Sequence, residues 1–474
     1  GRQIHREEMS DDEWVRITTL GCCREVGRAA FILSTPETRI LIDCGDKPGA
    51  EGEVPYLQVP EALGAGAATL DAVILTHAHL DHSALVPLLF KYGYDGPIYT
   101  TEPTRDLMGL LTLDYLDVAA KDGRTPPYES AQVRDAIKHT IPLEYGDVTD
   151  VAPDVKLTFH NAGHILGSAV THFHIGDGLY NVAFSGDIHY EDTRLFNGAV
   201  NDFPRVETLV LESTYGGRND YQTDQEDSEE ALKEVINETY EQGGKVVIPA
   251  FAVGRSQEIM LVLEEAMREG EIPEMPVHLD GMIWEATAIH TTYPEYLRDD
   301  LRDRIFHEDE NPFLADQFNH IDAGEDERQE VADGDECIVI STSGMIEGGP
   351  IMSWLRHIGP DPDSNLVFVG YQAQGTLGRR IQNGWDEIPV DGWGGGSRGD
   401  TLTLEMGVEV VDGFSGHADR QGLENFVKTM NPRPEKVLCV HGDESSVQDL
   451  SSSLYHDYNM RTFAPKNLET FRFK

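Results

Sequence analysis

The segment THAHLDH, residues 76–82, places three histidines and an aspartate within six positions. It follows the apolar run AVIL (residues 72–75), which is typical of a buried strand. Imidazole nitrogens and carboxylate oxygens are the donors that zinc binds at about 2.0–2.2 Å, and a loop leaving a strand can turn alternate side chains toward two neighbouring points. We therefore expect two metal ions here, the first held by His77 and His79 and the second by Asp81 and His82.

Further candidate ligands follow at the ends of other predicted strands. His164 lies in NAGHILGS, Asp187 ends the strand in FSGD, and His441 ends the strand in CVHGD. Asp187 is the natural bridging carboxylate, because one oxygen on each cation would hold the two ions about 3.5–4 Å apart around a shared hydroxide. Taken singly, each histidine could equally be structural, and SGD could be a simple turn.

Asp43 ends the predicted strand RILIDCG. A carboxylate there can accept a hydrogen bond from a ligating histidine and so orient its ring. The alternative is a simple turn residue in D-x-G.

The strand pattern divides the chain into two bodies. Residues 14–43 predict a β-meander, and strands with intervening helices continue to about residue 212, which indicates a layered α/β domain. From about residue 213 helices and strands alternate regularly, as in a separate doubly wound unit. The glycine-rich run at 391–400 is typical of a linker, and the strands after it are expected to rejoin the first domain.

The composition indicates the salt and redox conditions in which the protein works. It has 37 Lys and Arg against 84 Asp and Glu, a formal net charge of −47. We interpret this as halophilic adaptation, because about 1 M salt shortens the Debye length to roughly 3 Å; a basic partner or a cation store is the alternative. Five cysteines without C-x-x-C spacing argue against a disulfide framework and a cysteine zinc site, and favour a reducing cytoplasm. No apolar run approaches the roughly 18 residues of a membrane helix.

Several motifs carry a family resemblance. HAHLDH, GHILGS and FSGD resemble the metal motifs of the metallo-β-lactamase fold, an αββα sandwich. LESTYG with Glu212, GFSGHAD with His417 and VHGD with His441 resemble the added motifs of its nucleic-acid-processing branch, the β-CASP family. RQIHRE, REVGRAAFIL, AFAVGRSQE, STSGMIEGGP, GYQAQGTLGRRIQNG and PKNLETF extend the similarity, over nearly the whole chain, to archaeal ribonucleases of the cleavage and polyadenylation specificity factor type, proposed to act in transcription termination.

The resemblance implies an architecture and a reaction. It implies a metallo-β-lactamase domain made of residues 1–212 and 401–474, interrupted by a β-CASP α/β domain at 213–400. It implies two zinc ions per chain that activate water for RNA cleavage, Asp81 among the catalytic groups, His417 as the group that stabilises or protonates the leaving oxygen, and Glu212 as its partner. It also implies single-stranded, U-rich RNA as substrate, a homodimer, and RNA polymerase or transcription factors as partners. KH domains precede the nuclease in such proteins and are not visible here, which suggests that upstream domains are missing.

An acidic enzyme must still bind a polyanion. We expect phosphate contacts from Arg255, Arg379 and Arg380 and from the backbone at Ser343 and Gly344, because arginine binds phosphate with two hydrogen bonds and glycine-rich backbone can bring N–H groups close to an anion. The alternative is that these arginines pair with carboxylates.

Other functions remain open at this point. A thioester or lactam hydrolase would use the same metals but has no use for the extra βα domain. A DNA-processing relative is expected to lack histidine at the last motif, where this chain has His441. An inactive RNA-binding scaffold typically loses ligands, a 5′–3′ exoribonuclease of RNA decay would keep them, and an iron site would put a carboxylate at the position of His79.

Overall fold

The computed structural model of the chain describes residues 13–50, 53–58, 66–389 and 399–473. Within these ranges the strands form three large sheets and one two-stranded sheet. The motif RQIHRE and residues 391–398 of the predicted linker lie outside the described residues.

The first sheet has seven strands in the order β22-β1-β2-β3-β4-β5-β6. Its members are β1 (Arg16–Thr19), β2 (Phe31–Ser34), β3 (Arg39–Ile42), β4 (Ala72–Ile74), β5 (Ile98–Thr100), β6 (Thr140–Pro142) and β22 (Thr470–Arg472). Strands β1 to β3 pair antiparallel, which confirms the predicted meander. The last strand of the chain pairs with the first, so the chain end does return to the first domain.

The second sheet also has seven strands, in the order β21-β20-β11-β10-β9-β8-β7. They are β7 (Val148–Ala152), β8 (Val155–Asn161), β9 (Ala169–Ile175), β10 (Tyr180–Phe184), β11 (Thr208–Glu212), β20 (Lys436–Val440) and β21 (Arg461–Phe463). Strands β11 and β20 are parallel neighbours although the whole second body lies between them in sequence. The second body is therefore an insertion.

The two sheets pack face to face and helices cover both outer faces. Phe31 and Leu33 of the first sheet meet Phe173 and Phe184 of the second in one buried cluster. The first sheet is covered by α1 (Leu80–Ser83), α2 (Val86–Lys91), α3 (Glu102–Lys121) and α4 (Ser130–Lys138), and the second by α12 (Arg420–Lys428) and α13 (Glu444–Tyr458). This is the predicted αββα sandwich.

The insert is built on a six-stranded sheet whose neighbouring strands are all parallel. Its order is β14-β13-β15-β12-β16-β19, with β12 (Val246–Pro249), β13 (Val277–Asp280), β14 (Phe318–His320), β15 (Ile338–Ser341), β16 (Asn365–Phe368) and β19 (Gly407–Val410). One face packs on α5 (Gln225–Glu241), α6 (Arg255–Arg268), α7 (Ile283–Thr292) and α8 (Asp299–Phe306), and the other on α9 (Glu325–Asp333), α10 (Ile351–Ile358) and α11 (Leu377–Gln382). Strands β17 (Glu387–Pro389) and β18 (Thr401–Thr403) form the small sheet. The predicted doubly wound unit is confirmed.

The domain limits at residues 212 and 400 stay a prediction. Strand β19 pairs with β16, so Gly407–Val410 belongs to the sheet of the insert. The core of the insert also includes Leu107 and Leu111 of α3 and the segment around Leu195 and Phe196, so sandwich and insert share one apolar cluster. The two bodies are therefore held together by hydrophobic packing as well as by polar contacts such as the Arg194–Glu229 ion pair.

The cysteines and the helices bear on two further expectations. All five cysteines are buried and free. None of the helices in the described ranges combines the length and the apolar character needed to cross a bilayer.

Candidate metal centre

The candidate centre lies where several strands of the sandwich end. The THAHLDH loop follows β4, Asp187 follows β10, and His441 follows β20, while His164 lies in the turn between β8 and β9. The carboxyl ends of these strands lie at one edge of the sandwich, so residues far apart in sequence meet there. The structure brings all seven predicted ligands together.

Three histidines form what we call the imidazole half: His77, His79 and His164. Their donor atoms lie within 4.8 Å of one another. The Nδ1 atom of His79 is 3.1 Å from Nε2 of His164. These distances are short enough for one cation to contact all three rings.

Asp81, His82 and His441 form what we call the carboxylate half. Asp81 Oδ2 lies 3.0 Å from Nε2 of His441 and 3.7 Å from Nε2 of His82. His441 has a backbone φ of 51°, in the left-handed region that is uncommon for residues other than glycine. Strain of this kind is kept at functional sites when the surrounding structure imposes it.

Asp187 lies between the two halves. Its Oδ2 is 3.3 Å from Nε2 of His77 and 3.2 Å from Nε2 of His82, and its Oδ1 is 3.5 Å from Nδ1 of His441. The carboxylate therefore faces both halves, as expected of a bridging ligand.

The residues present fit bound metal cations. Nε2 of His77, Nε2 of His82 and Oδ1 of Asp187 are buried and have no hydrogen-bond partner among the described residues. Leaving buried polar atoms unpaired costs about 1–3 kcal/mol each, and all three point into the cluster. The donors are nitrogen and oxygen only, in the combination that zinc binds in catalytic sites.

The protonation of the two halves differs. Burial lowers the pKa of His79 to about 4 and lowers the pKa of His77 and His164 as well, and the neighbouring imidazoles act in the same direction. Burial also acts to lower the pKa of His82 and His441, but Asp187 and Asp81 outweigh it and raise both. The imidazole half therefore presents neutral rings, while the carboxylate half holds protons that a cation would displace.

Asp43 contacts the ring of one candidate ligand, His82. Its Oδ2 accepts a hydrogen bond from Nδ1 of His82 at 2.7 Å, and its carboxylate also accepts from the backbone N–H and hydroxyl of Thr76. The Thr76 hydroxyl is in turn 3.0 Å from Nδ1 of His77. Asp43 thus supports one ring directly and a second through Thr76, in each case leaving Nε2 toward the centre.

Glu212 and His417 form a pair beside the cluster. Nδ1 of His417 lies 3.0 Å from Glu212 Oε1, and Glu212 is almost fully buried. Burial acts to lower the pKa of His417, but the carboxylates of Glu212 and Asp187 raise it to about 9. With Nδ1 bonded to Glu212, Nε2 is the position from which His417 can give up a proton. His417 also lies within reach of His164 and Asp187 as a possible metal ligand.

The arginines predicted to contact phosphate lie in different surroundings. Arg255 is buried, pairs with Glu258, and donates through Nη2 to the His164 carbonyl at 3.2 Å. Arg379 donates to the Gln372 carbonyl, and exposed Arg380 lies over the ring of Trp385. Within the described part of the chain, neither Arg379 nor Arg380 makes a hydrogen bond or ion pair with the histidine cluster. Their role toward RNA stays a prediction.

The Ser343–Gly344 segment lies against the insert's own loop. The Ser343 hydroxyl donates to the Gly348 carbonyl, and a Cβ atom at Gly344 would lie 2.8 Å from the Phe251 nitrogen. The close approach explains the glycine without any ligand.

Sequence reasoning missed two backbone groups of the centre. The carbonyl of Val253 is 3.0 Å from Nε2 of His79, and the carbonyl of Gly416 is 2.7 Å from Nδ1 of His164. No sequence pattern marks a carbonyl contact of this kind. Thr214, whose hydroxyl is 3.2 Å from Nδ1 of His441, was also missed, although it stands in LESTYG.

Comparison with known proteins agrees with this architecture. Residues 24–241 match the Metallo-beta-lactamase superfamily, residues 256–381 the Beta-Casp domain, and residues 401–465 the Zn-dependent metallo-hydrolase RNA specificity domain. A crystal structure of a protein of unknown function from Enterococcus faecalis V583 covers 97% of this chain and 100% of its own, with a TM-score of 0.55 at 14% identity, which shows a shared fold.

Curated relatives align along the whole chain. Transcription termination factor FttA of Methanosarcina mazei is 59% identical over 473 residues, which cover 100% of this chain and 74% of the relative. The proteins of the same name from Methanothermobacter thermautotrophicus and from Lokiarchaeum sp. are 51% and 44% identical with the same coverage. The chain therefore belongs to the transcription termination factor FttA family, whose fold is a metallo-β-lactamase sandwich with an inserted Beta-Casp domain.

Proposed function

We propose that the chain is a ribonuclease that uses two zinc ions to hydrolyse RNA phosphodiester bonds in RNA 3′-end formation and transcription termination. One observation carries the proposal: seven donor side chains face one another in a buried cluster, with the Glu212–His417 pair directly beside them. The names of the relatives and the RNA specificity domain matched by residues 401–465 support RNA as substrate.

Different residues of the chain would bind the metal ions, orient the ligands and donate a proton. Zinc ions, when bound, would lower the pKa of water toward about 7 and would supply positive charge that stabilises the phosphoryl oxygens. Asp187 and Asp81 would hold and neutralise the ions, and Asp43 would keep the ring of His82 in place. His417, protonated at neutral pH and held by Glu212, would donate a proton from Nε2 to the departing oxygen.

Substrate binding is assigned as predicted from the sequence. Arg379 and Arg380 on α11, with the Ser343–Gly344 backbone, would contact RNA phosphates. Arg255 would do so only if its guanidinium left Glu258 and the His164 carbonyl, to which it is bonded. We expect Arg379 and Arg380 to contribute more to RNA affinity than Arg255.

Further parts of the proposal concern the setting. The RNA would be single-stranded and U-rich, and cutting would be internal, with 5′–3′ exonucleolytic trimming as a second activity. The protein would act as a homodimer in the cytoplasm of a haloarchaeon, with RNA polymerase or transcription factors as partners. The net charge of −47 supports activity in concentrated salt.

The test is cleavage of end-labelled single-stranded RNA in molar salt by wild type and by His79→Ala, each with and without a chelator. Wild type should cut, and both the chelator and the substitution should abolish cutting. Unchanged cleavage by His79→Ala would refute the role of His79.

The same assay separates the alternatives. Products that appear only from the 5′ end would indicate an exoribonuclease of RNA decay, and RNA binding without cleavage would indicate a scaffold. Cleavage of DNA but not RNA, or turnover of a thioester in place of both, would replace the proposed reaction.

A further inference from the structure

We propose that the insert completes the metal centre: the loop of residues 250–254 and the residues beside it set the affinity of the imidazole half, whereas the carboxylate half is supported by the sandwich alone. This inference rests on the two-ion site proposed above. It assigns a positioning role to Val253, Gly254 and Arg255.

His79 depends on the insert for the orientation of its ring. Nε2 of His79 donates to the carbonyl of Val253, in the loop between β12 and α6. That bond fixes the tautomer in which Nδ1, 3.1 Å from His164 Nε2, carries the free lone pair. The ring of Phe251, from the same loop, packs 5.3 Å from the His79 ring.

His164 is held from the same side. Its Nδ1 donates to the Gly416 carbonyl, and its own carbonyl accepts from Arg255 at the start of α6. Gly416 itself lies between β19 of the insert and α12 of the sandwich, where Ala418 donates a backbone hydrogen bond to Ile188. The insert therefore orients the ring of His79 and holds the backbone of His164.

The carboxylate half has different supports. His82 donates to Asp43 at the end of β3, and His441 contacts the Thr214 hydroxyl just after β11. Both supports lie at strand ends of the sandwich. A small displacement of the insert would leave them in place.

A substitution at Gly254 is expected to displace the loop of residues 250–254. Its φ is 107°, and a Cβ atom there would lie 2.9 Å from Cγ2 of Ile165, next to His164. Gly270, at the other end of α6, is the matched control: its φ is 72° and a Cβ atom would meet nothing within 4 Å. Alanine is strained at both positions but presses on the sandwich only at Gly254.

The experiment is zinc titration of the full chain against a chelating dye, for wild type, Gly254→Ala and Gly270→Ala. Gly254→Ala should weaken one of the two ions by roughly 10–100-fold, the usual effect of losing an orienting contact, and leave the other within about twofold. Gly270→Ala should bind both ions like wild type.

Variants that bind a single ion serve as backgrounds and identify which half Gly254→Ala affects. His441→Ala should leave the imidazole half, and His164→Ala the carboxylate half. Gly254→Ala should lower zinc affinity in the first background and change nothing in the second. An effect in the second background only would overturn the proposal.

If Gly254→Ala does not fold, hydrogen exchange of the wild-type protein provides a second test. Because coupling is reciprocal, zinc should slow hydrogen exchange in peptides spanning residues 250–255 by about tenfold. Unchanged exchange there at zinc saturation overturns the proposal, as does a folded Gly254→Ala that binds both ions like wild type. A wild type that binds no zinc would instead overturn the proposed function, and this inference with it.

Discussion

The imidazole half and the carboxylate half offer similar ligands but differ in charge and in support. The first presents neutral rings, one of which hydrogen-bonds to the Val253 carbonyl of the insert and another to the Gly416 carbonyl, after the last strand of the insert. The second consists of carboxylate–imidazole pairs supported by strand ends of the sandwich. On the proposal made above, a sandwich without its insert would keep the carboxylate half in order and lose the contact that orients His79 in the imidazole half.

The largest effect that would test this comparison is loss of the residue common to both halves. Asp187→Asn removes the charged oxygen that faces each half, so both ions should bind more weakly. RNA cleavage should fall by more than about a thousandfold, because metal ions contribute several kcal/mol to such reactions. Zinc content and single-turnover cleavage measure this, with exposed Asp177→Asn as control. Loss of one ion alone would show that Asp187 does not bridge.

The next substitution asks whether His417 belongs to either half. In His417→Asn, cleavage should fall by about a hundredfold or more, since proton donation is lost, while both zinc affinities stay at the wild-type level. Exposed His456→Asn is the control. A drop in zinc stoichiometry would instead make His417 a ligand, as its position near His164 and Asp187 allows.

Asp43→Asn tests the carboxylate half as Gly254→Ala tests the other. Asparagine tolerates the φ of 61° at this position, so the main change is loss of charge next to His82. Zinc affinity of the carboxylate half should fall by roughly tenfold, and that of the imidazole half by less, because Asp43 reaches His77 only through Thr76. Combination with Gly254→Ala, which acts on His79, should be additive. Strong non-additivity in the double variant would mean that the two halves are not independently supported.

The smallest effect concerns an acidic group on α3, the sandwich helix that packs against α7 of the insert. Burial, Asp117 and Glu285 of α7 raise the pKa of Asp114 on α3 to about 6. An acid whose pKa is raised on folding favours the folded state at low pH, and this contribution is lost as pH rises from about 4 to about 6. Asp114→Asn should therefore be about 1 kcal/mol more stable than wild type above pH 6.

Urea unfolding at about pH 4 and about pH 8 measures this difference. The gain should appear only at the higher pH, and exposed Asp150→Asn should be neutral at both. An equal gain at both pH values would rule out the titration of Asp114 as its cause.

Much of the fold was predictable because it follows from patterns of period two and 3.6. Apolar runs such as TLVLE and KVLCV are typical of strands, and both form buried strands that lie inside the second sheet rather than at its edges. The limit of the insert was less predictable. Residues 401–410 have strand alternation but no mark of which sheet they join, and β19 joins the insert because its hydrogen-bond partner is β16.

The ligand types and the loops that carry them are properties of the residues: His77, His79, Asp81 and His82 are close in sequence, so local chain geometry already brings them together. His164, Asp187 and His441 are distant, and only the packing of β8, β10 and β20 sets the distances between them. The supports from Val253 and Gly416 are decided by tertiary structure alone, because every residue has a carbonyl group and only the packing of the folded chain aims these two at imidazole rings.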